Sequence, residues 1–139
     1  MTHIDELKWN DQGLLPAIVQ DADTGQVLML AWVNEDALRR TFLTGEVHFW
    51  SRSRGELWHK GETSGNTMAL ADAFYDCDGD ALLFQVAPRG PACHTGSTSC
   101  FYTPLVFDDV IDTDSARRAG EPLFQWSPEA AEGEDSDAS

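Results

Sequence analysis

Apolar residues are grouped along most of the chain in short runs that end at turn-forming residues. Residues 14–20 and 27–32 are two such runs, and they flank Asp-Ala-Asp-Thr-Gly, a composition typical of a β-hairpin turn. Five further runs are expected to form strands because each is bounded by Gly, Pro, Ser or Asp. They are residues 47–51, 57–59, 68–75, 81–87 and 101–107.

One main helix is predicted after the hairpin. Asn34 suits the N-cap position, and Gly45 tolerates the positive φ of a C′ residue. Leu38 and Phe42 are four residues apart and are expected to form the buried stripe of this helix. A short helical turn is also expected at residues 115–120. One helix among many strands predicts an α+β, β-rich single domain, whose strand order the pattern does not reveal.

The net charge of −15, from 24 acidic and nine basic residues, argues against a nucleic-acid-binding protein. Part of this charge lies in residues 127–139, which contain five acidic residues and no basic one. That composition predicts a disordered tail after a domain formed by residues 1–126. Six of the nine basic residues fall between positions 39 and 89, so this segment is expected to bind an anionic ligand.

The location of the protein is predicted from the absence of two kinds of sequence signal, a membrane-spanning run and a signal peptide. No apolar run approaches the ~18 residues that a membrane helix needs, and the N-terminus lacks the basic and apolar regions of a signal peptide. These features predict a cytoplasmic protein without a membrane partner. Three cysteines in a reducing compartment favour metal binding or catalysis over disulfides.

Two metal sites are predicted where three aspartates and all three cysteines fall within 25 positions. Carboxylate oxygens suit Mg²⁺ and thiolates suit Zn²⁺. The candidate ligands are Asp76, Asp78 and Asp80 for Mg²⁺, and Cys77, Cys93 and Cys100 for Zn²⁺. In an extended segment, the aspartates and Cys77 would point to opposite faces, which would place the two ions back to back. The alternative is a solvated Asp-Gly turn, and an EF-hand is not supported because its Gly and Glu positions hold Ala81 and Ala87.

The cysteine loop at residues 91–100 is polar, which favours metal binding over two inert buried thiols, the alternative for this segment. Three thiolates leave a fourth zinc position to water, as in catalytic sites. Such a zinc would lower the pKa of its water from about 15.7 towards ~7. His94 is the candidate for proton transfer; it could also be a fourth ligand or simply a loop residue.

A phosphate-binding segment is predicted at residues 58–67, which join cations, hydroxyl groups and glycines. The aromatic and basic run at residues 49–54 adds guanidinium groups for phosphate and rings for a base. An ordinary turn and a solvated strand edge are the alternatives. The candidate substrate-binding residues are Arg52, Arg54, His59, Lys60, Thr63, Ser64 and Asn66.

Taken in order, these segments resemble the phosphoribosyl-AMP cyclohydrolase family of histidine biosynthesis over about residues 10–107. The resemblance is carried by residues 49–54, 58–66, 76–80, 93–96 and 100–102. It implies hydrolytic opening of the adenine ring of 1-(5-phosphoribosyl)-AMP between N1 and C6, which yields the formimino-carboxamide ribonucleotide. Zinc would activate the water, with His94 as the base, and Mg²⁺ would assist substrate binding.

The resemblance also implies a homodimer with shared metal sites, in which the three cysteines hold Zn²⁺ across the interface and the three aspartates hold Mg²⁺. Some family members are fused to a phosphoribosyl-ATP pyrophosphohydrolase domain. Only about thirty residues follow the similar region here, so that second activity is expected to be absent.

Two other functions remain open on the residues alone. A zinc-dependent nucleobase deaminase would use the same kind of activated water, but its H-x-E and P-C-x-x-C arrangement is missing. A non-enzymatic module in which zinc joins two subunits would need a fourth ligand, for which His94 is the nearest candidate.

Overall fold

The computed structural model describes residues 4–106 and 112–120, which divide into one unit up to Tyr102 and a second from Thr103 onwards. The first unit contains the predicted hairpin, the main helix and four further strands. In chain order its elements are a 3-10 turn (Ile4–Glu6), β1 (Leu15–Asp21), β2 (Val27–Val33), α1 (Glu35–Thr44), β3 (His48–Ser51), β4 (Glu56–His59), β5 (Met68–Tyr75) and β6 (Leu82–Pro88). These elements confirm the prediction of a β-rich α+β unit.

The six strands form one mixed sheet in the order β4-β3-β2-β1-β6-β5. The β1–β6 pair is parallel and the other pairs are antiparallel. The sheet curls so that Glu46, just before β3, forms a bridge with Ala69 of β5. The Val47 N–H also donates to the Met68 carbonyl at 3.0 Å, while the Val47 carbonyl accepts from Lys60. This closure brings the end of β4 beside the start of β5.

The core lies inside the curled sheet and follows the period of two that strands impose on side chains. Leu15, Ala17 and Val19 of β1 are buried, with Phe84 and Val86 of β6 beside them on the neighbouring strand. On β5 only Met68 is fully buried, so most of this edge strand contributes little to the core.

Helix α1 has the predicted caps but a different buried stripe. Asn34 accepts a hydrogen bond from the Ala37 N–H at 2.8 Å, and Gly45 has a φ of 75°. Leu38 is buried as expected, whereas Phe42 is 60% exposed, so that part of the prediction is wrong. The helix packs on β2 and β3 through Ala37, Leu38 and Thr41, a stripe rotated by about one residue from the predicted one.

The strand predicted at residues 101–107 is also wrong for residues 101–106, and Phe107 lies outside the described residues. The chain bonds to β2 through Cys100, whose N–H donates to the Leu28 carbonyl, but the Phe101 N–H turns back to the Ser99 hydroxyl.

In the second unit, α2 (Thr113–Arg118) confirms a short helix near the predicted position. The tail predicted at residues 127–139 also lies outside the described part. None of the described helices has the length and apolar character needed to cross a membrane.

Candidate active site

The three aspartates lie in the tight turn between β5 and β6, not in an extended segment. The expected alternation of faces is therefore wrong, because the turn, rather than a strand, determines where these side chains point. Asp76 Oδ1 accepts from the backbone N–H groups of Asp80 and Ala81 at 3.0 and 3.3 Å. One carboxylate oxygen of each of Asp76, Asp78 and Asp80 lies within 4.8 Å of the others. Such a set of oxygens fits the preference of Mg²⁺ after small side-chain movements.

The crowding of these carboxylates separates their pKa values. Desolvation raises the pKa of Asp76, but hydrogen bonds from the Asp80 and Ala81 backbones and with the Asp80 and Asp78 side chains outweigh it, so the net pKa is lowered. Hydrogen bonds with Asp76 and Asp78 raise the pKa of Asp80, and desolvation and the charges of both neighbours act in the same direction. A cation would relieve this repulsion, which is the electrostatic condition for a metal site.

The cysteine loop, residues 91–100, is held in place by hydrogen bonds to β2 and to the residues just after β4 and just before β5. The Cys100 N–H donates to the Leu28 carbonyl at 2.7 Å, and the Ser99 hydroxyl donates to the Val27 carbonyl at 2.8 Å. The Arg89 N–H, just ahead of the loop, donates to the Thr67 carbonyl. The buried ammonium of Lys60 donates to the Ala92 carbonyl at 2.6 Å, which ties the loop to the end of β4. The loop is therefore a rigid support for its thiols.

The surroundings of the two thiols in this loop shift their pKa values in opposite directions. The Thr95 hydroxyl donates to Cys93 Sγ at 3.0 Å and, with the Thr95 N–H, lowers the pKa of Cys93. A hydrogen bond from Cys100 and the charge of Lys60 act in the same direction against the effect of burial. Burial raises the pKa of the Cys100 thiol, as does its interaction with Cys93. Adjacent thiols with a cation nearby are a chemically suitable pair of ligands for Zn²⁺.

The third cysteine stands apart from this pair. Cys77 is exposed on the β5–β6 turn. Among the described residues, the aspartates form a group of three potential ligands within 4.8 Å, and the three thiols do not. One chain therefore brings together two of the three predicted zinc ligands.

A cleft of about 410 Å³ lies between β4, the cysteine loop and the glycine-rich loop, which is defined here as residues 60–67. It gathers most of the residues that the sequence predicted for catalysis and substrate binding. These are Arg54, His59, Lys60, Thr63, Ser64, Asn66 and His94, and the predicted zinc ligand Cys93 lines the cleft as well. Arg52 is the predicted residue that does not line this cleft. Arg52 and Arg54 both lie in the β3–β4 turn, so they do not share a strand face.

The glycine-rich loop is shaped by its own backbone hydrogen bonds. The Gly65 N–H donates to the Gly61 carbonyl at 2.8 Å, and the Asn66 N–H donates to the Ser64 hydroxyl. Gly61 has a φ of 84°, and a side chain there would overlap the backbone of Asn66 and Thr67. The backbone N–H groups of Thr63 and Ser64 have no acceptor among the described residues. These two donors suit a phosphate oxygen.

A polar cluster that the sequence did not reveal surrounds His59, which lines the cleft. His59 Nε2 lies 3.0 Å from Glu46 Oε1, and Arg89 Nη2 lies 3.9 Å from the other oxygen of Glu46. His48, which the sequence left unassigned, is buried and stacks on His59 with ring centroids 4.4 Å apart. Its Nδ1 lies 2.8 Å from the Glu46 carbonyl oxygen. Glu46 therefore fixes the orientation of both imidazoles.

Sequence reasoning missed Glu46 and Thr95 as contributors to this region. A hydroxyl two residues after a candidate thiolate was a usable signal for Thr95. The carboxylate of Glu46 contacts His59, which is 13 residues away, so no local pattern pointed to it.

Comparison with known proteins identifies related sequences over the same region. The model of the phosphoribosyl-AMP cyclohydrolase family matches residues 29–102, a span that contains the aspartate turn, the cleft and all three cysteines. The phosphoribosyl-AMP cyclohydrolase of Chromohalobacter salexigens is 56% identical over 113 residues, covering 81% of this chain and 77% of that protein. The protein of the same name from Haloarcula marismortui is 54% identical over 118 residues, covering 82% of this chain and 98% of its own.

Longer relatives match as well. The histidine biosynthesis bifunctional protein HisIE of Caldanaerobacter subterraneus subsp. tengcongensis is 63% identical over 102 residues. That alignment covers 73% of this chain and 50% of the relative, so the chain spans about half the length of this bifunctional protein.

Proposed function

The chain belongs to the phosphoribosyl-AMP cyclohydrolase family, and we propose that it hydrolyses 1-(5-phosphoribosyl)-AMP in histidine biosynthesis. The observation that carries this proposal is the cleft, where Cys93 and His94 on one wall face the glycine-rich loop on another. A site of this kind combines groups for water activation and proton transfer with donors for a phosphorylated ligand.

The reaction needs proton movement at two atoms of the substrate. A water oxygen joins C6 and the C6–N1 bond breaks. One water proton ends on N1, and the other ends on the exocyclic nitrogen, which changes from an imine to the NH2 group of the amide. His94 is exposed in the cleft, and an imidazole is able to accept the proton of the water and return it to N1. His94 is therefore our candidate for the general base and acid.

The charged part of the substrate would be bound by the opposite wall of the cleft. Thr63 and Ser64 offer hydroxyls and backbone N–H groups that have no acceptor in the described part of the chain, and Arg54 lines the same space. We assign Lys60 a positioning role because its ammonium is buried and bonded to the Ala92 carbonyl.

We further propose that Asp76, Asp78 and Asp80 hold Mg²⁺ and that Cys77, Cys93 and Cys100 hold Zn²⁺. When bound, zinc supplies a Lewis acid that lowers the pKa of a water, and magnesium supplies positive charge near the phosphates. The separation of Cys77 from the Cys93–Cys100 pair supports a homodimer, because a second copy of the chain would supply the missing thiol.

The test is hydrolysis of 1-(5-phosphoribosyl)-AMP, followed by the absorbance of the ring-opened product, with zinc and magnesium quantified in each preparation. We expect the wild type to be active and Cys93→Ala to lose its zinc and at least about 100-fold in turnover, since even an outer contact to a metal ligand is worth about 10- to 100-fold. Ser97→Ala, in the same loop but without a thiol, is the control and should keep both.

A wild type that holds its zinc yet leaves this substrate intact would refute the proposed activity. An unchanged turnover in Cys93→Ala would instead refute the role of the thiols.

A further inference from the structure

A second hollow, of about 920 Å³, adjoins the cleft and takes in residues that the mechanism above does not use. Gln12, Trp32, Trp50 and Arg52 are among the residues that line it. Arg54 and Trp58 line both the hollow and the cleft, so the two spaces share a wall. A ligand larger than the cleft could therefore extend across this wall into the hollow.

Arg52 stands out among the arginines of residues 4–106. Four of the five form ion pairs with carboxylates: Arg39 with Glu35, Arg40 with Asp36, Arg54 with Glu56, and Arg89 with Glu46. Arg52 has no carboxylate within ion-pair distance in the described part of the chain. In a protein with 24 acidic residues, a guanidinium kept away from every carboxylate in residues 4–106 and 112–120 is available for an external anion.

Trp32 holds Arg52 in a useful orientation. The guanidinium carbon lies 4.4 Å from the centroid of the Trp32 ring. Stacking occupies the face of a guanidinium and leaves the N–H groups in its plane free for a bidentate contact with phosphate. The Arg52–Trp32 pair is thus a preorganised anion site at the surface of the hollow.

The substrate of the proposed function carries two phosphates, one on each of the ribosyl groups attached to N1 and N9 of the purine. These two arms leave the ring in different directions, so one phosphate-binding loop cannot hold both. We propose that the hollow is a second phosphate subsite, in which Arg52, oriented by Trp32, binds the phosphoribosyl arm on N1, which AMP lacks, while the glycine-rich loop binds the arm on N9. This inference rests on the proposed function and adds to it the division of the substrate between two subsites.

The test compares a ligand with two arms to a ligand with one. Hydrolysis breaks only a ring bond, so the ring-opened product keeps both phosphoribosyl groups, whereas AMP has one. Their dissociation constants are measured by calorimetry on the metal-loaded wild type, Arg52→Gln and Arg39→Gln. Arg39 is the matched control because it is an exposed arginine on α1, outside both spaces.

We expect Arg52→Gln to weaken product binding at least about 10-fold, as the loss of a charge-assisted bidentate contact does, and AMP binding less than about 3-fold. Arg52→Lys should weaken product binding less than Arg52→Gln does, because lysine keeps the positive charge but not the planar fork of the guanidinium. Trp32→Leu should weaken product binding in the same direction without removing the cation. Arg39→Gln should leave both constants within about 2-fold of the wild type.

Three results would overturn the second subsite. Unchanged product binding in Arg52→Gln would show that Arg52 does not bind a phosphate of the product. Equal losses of affinity for the product and for AMP would show that Arg52 belongs to a single phosphate site that both ligands use. If Arg39→Gln weakened product binding as much as Arg52→Gln, the effect would come from the overall charge of the protein. These results differ from failure of the proposed function, in which the wild type itself neither binds the product nor turns over the substrate.

Discussion

Gly79 occupies a position in the β5–β6 turn that combines a left-handed backbone with a tight contact. Its φ is 77°, and a Cβ at this position would lie 3.1 Å from the Glu6 carbonyl oxygen. The Gly79 carbonyl also accepts from the Lys8 N–H at 2.8 Å, so the turn and the N-terminal segment are bonded at this point. The conformation of the aspartate turn therefore depends on Gly79, which is not one of the proposed metal ligands.

We predict that Gly79→Ala lowers the free energy of unfolding by about 1–3 kcal/mol, because alanine would bear the cost of positive φ and displace Glu6. The control is Gly25→Ala, since Gly25 has a φ of 78° but no atom within 4 Å of the place that a Cβ would occupy. The free energy of unfolding of Gly25→Ala should fall by about 1 kcal/mol, which is the cost of the positive φ alone. Urea unfolding measures both, and equal losses would show that the Glu6 contact adds nothing.

Residue types and spacing were sufficient to predict most of the side chains that line the cleft, with Arg52 as the exception, but not how they are supported. Cys93 and His94 were recognisable because thiols and an imidazole fall in a polar loop. The bond of Glu46 to His59 depends on the pairing of His48 with His59 across β3 and β4, and on the bridge that brings Glu46 to the edge of β5. Such contacts follow from the curl of the sheet, which a linear pattern does not contain.

At the scale of elements, Thr41 joins α1 to β3. Its hydroxyl donates to the Ala37 carbonyl at 2.8 Å and accepts from the His48 N–H at 2.9 Å, and the residue is fully buried. The helix was predicted to pack through Phe42 because an apolar ring was the obvious choice at that spacing. A threonine that bonds to the next strand occupies the interface instead, so the helix is rotated and Phe42 faces outward.

We predict that Thr41→Val destabilises the protein by about 1–3 kcal/mol although valine has nearly the same shape, because the buried His48 N–H loses its acceptor. Thr44→Val is the matched control. Thr44 also donates to the carbonyl four residues earlier, Arg40 at 2.9 Å, and accepts from the Glu46 N–H at 3.1 Å, but these bonds are exposed and water can replace them. Its loss should stay within about 0.5 kcal/mol. Comparable losses in the two variants, measured by thermal or urea unfolding, would contradict a specific role for the Thr41–His48 bond.

The strand assignments of the first unit were accessible from the sequence because each run is short and ends at a turn residue. The order of the strands was not, since β6 inserts beside β1 in parallel while its neighbour in the chain, β5, lies at the edge. The predicted strand over residues 101–106 failed for a related reason. Its aromatic residues suit a strand, but Phe101 bonds back to Ser99 and no sheet edge in the described part of the chain pairs with the segment.

At the scale of the whole molecule, the location of the three thiols bears on the number of chains in the active protein. Thiolates bound at about 2.3 Å from one zinc lie within about 4 Å of each other. Cys93 and Cys100 are already neighbours, whereas Cys77 is on the exposed turn between β5 and β6. A zinc site shared between two copies would have Cys77 from one chain and the Cys93–Cys100 pair from the other.

This arrangement predicts that two inactive variants restore activity when they are combined. Cys77→Ser and Cys93→Ser, co-expressed with different affinity tags, should form mixed dimers in which one of the two sites has all three thiols. Random pairing makes half of the dimers mixed, so about a quarter of the wild-type activity is expected in the pool and about half in dimers purified through both tags. Each variant alone should be inactive.

The matched control combines Cys93→Ser with Cys100→Ser, because both changes fall on the same half of the shared site and every site in the mixed dimer keeps a defect. This pair should recover no activity, and its zinc content should stay low. The zinc content of the first pair should rise to one ion per mixed dimer. Recovery in the control pair would mean that the cysteines are not divided in this way. No recovery in the first pair, from dimers that carry both tags, would assign Cys77 to the site of its own chain and would require the β5–β6 turn to move towards the cysteine loop when zinc binds.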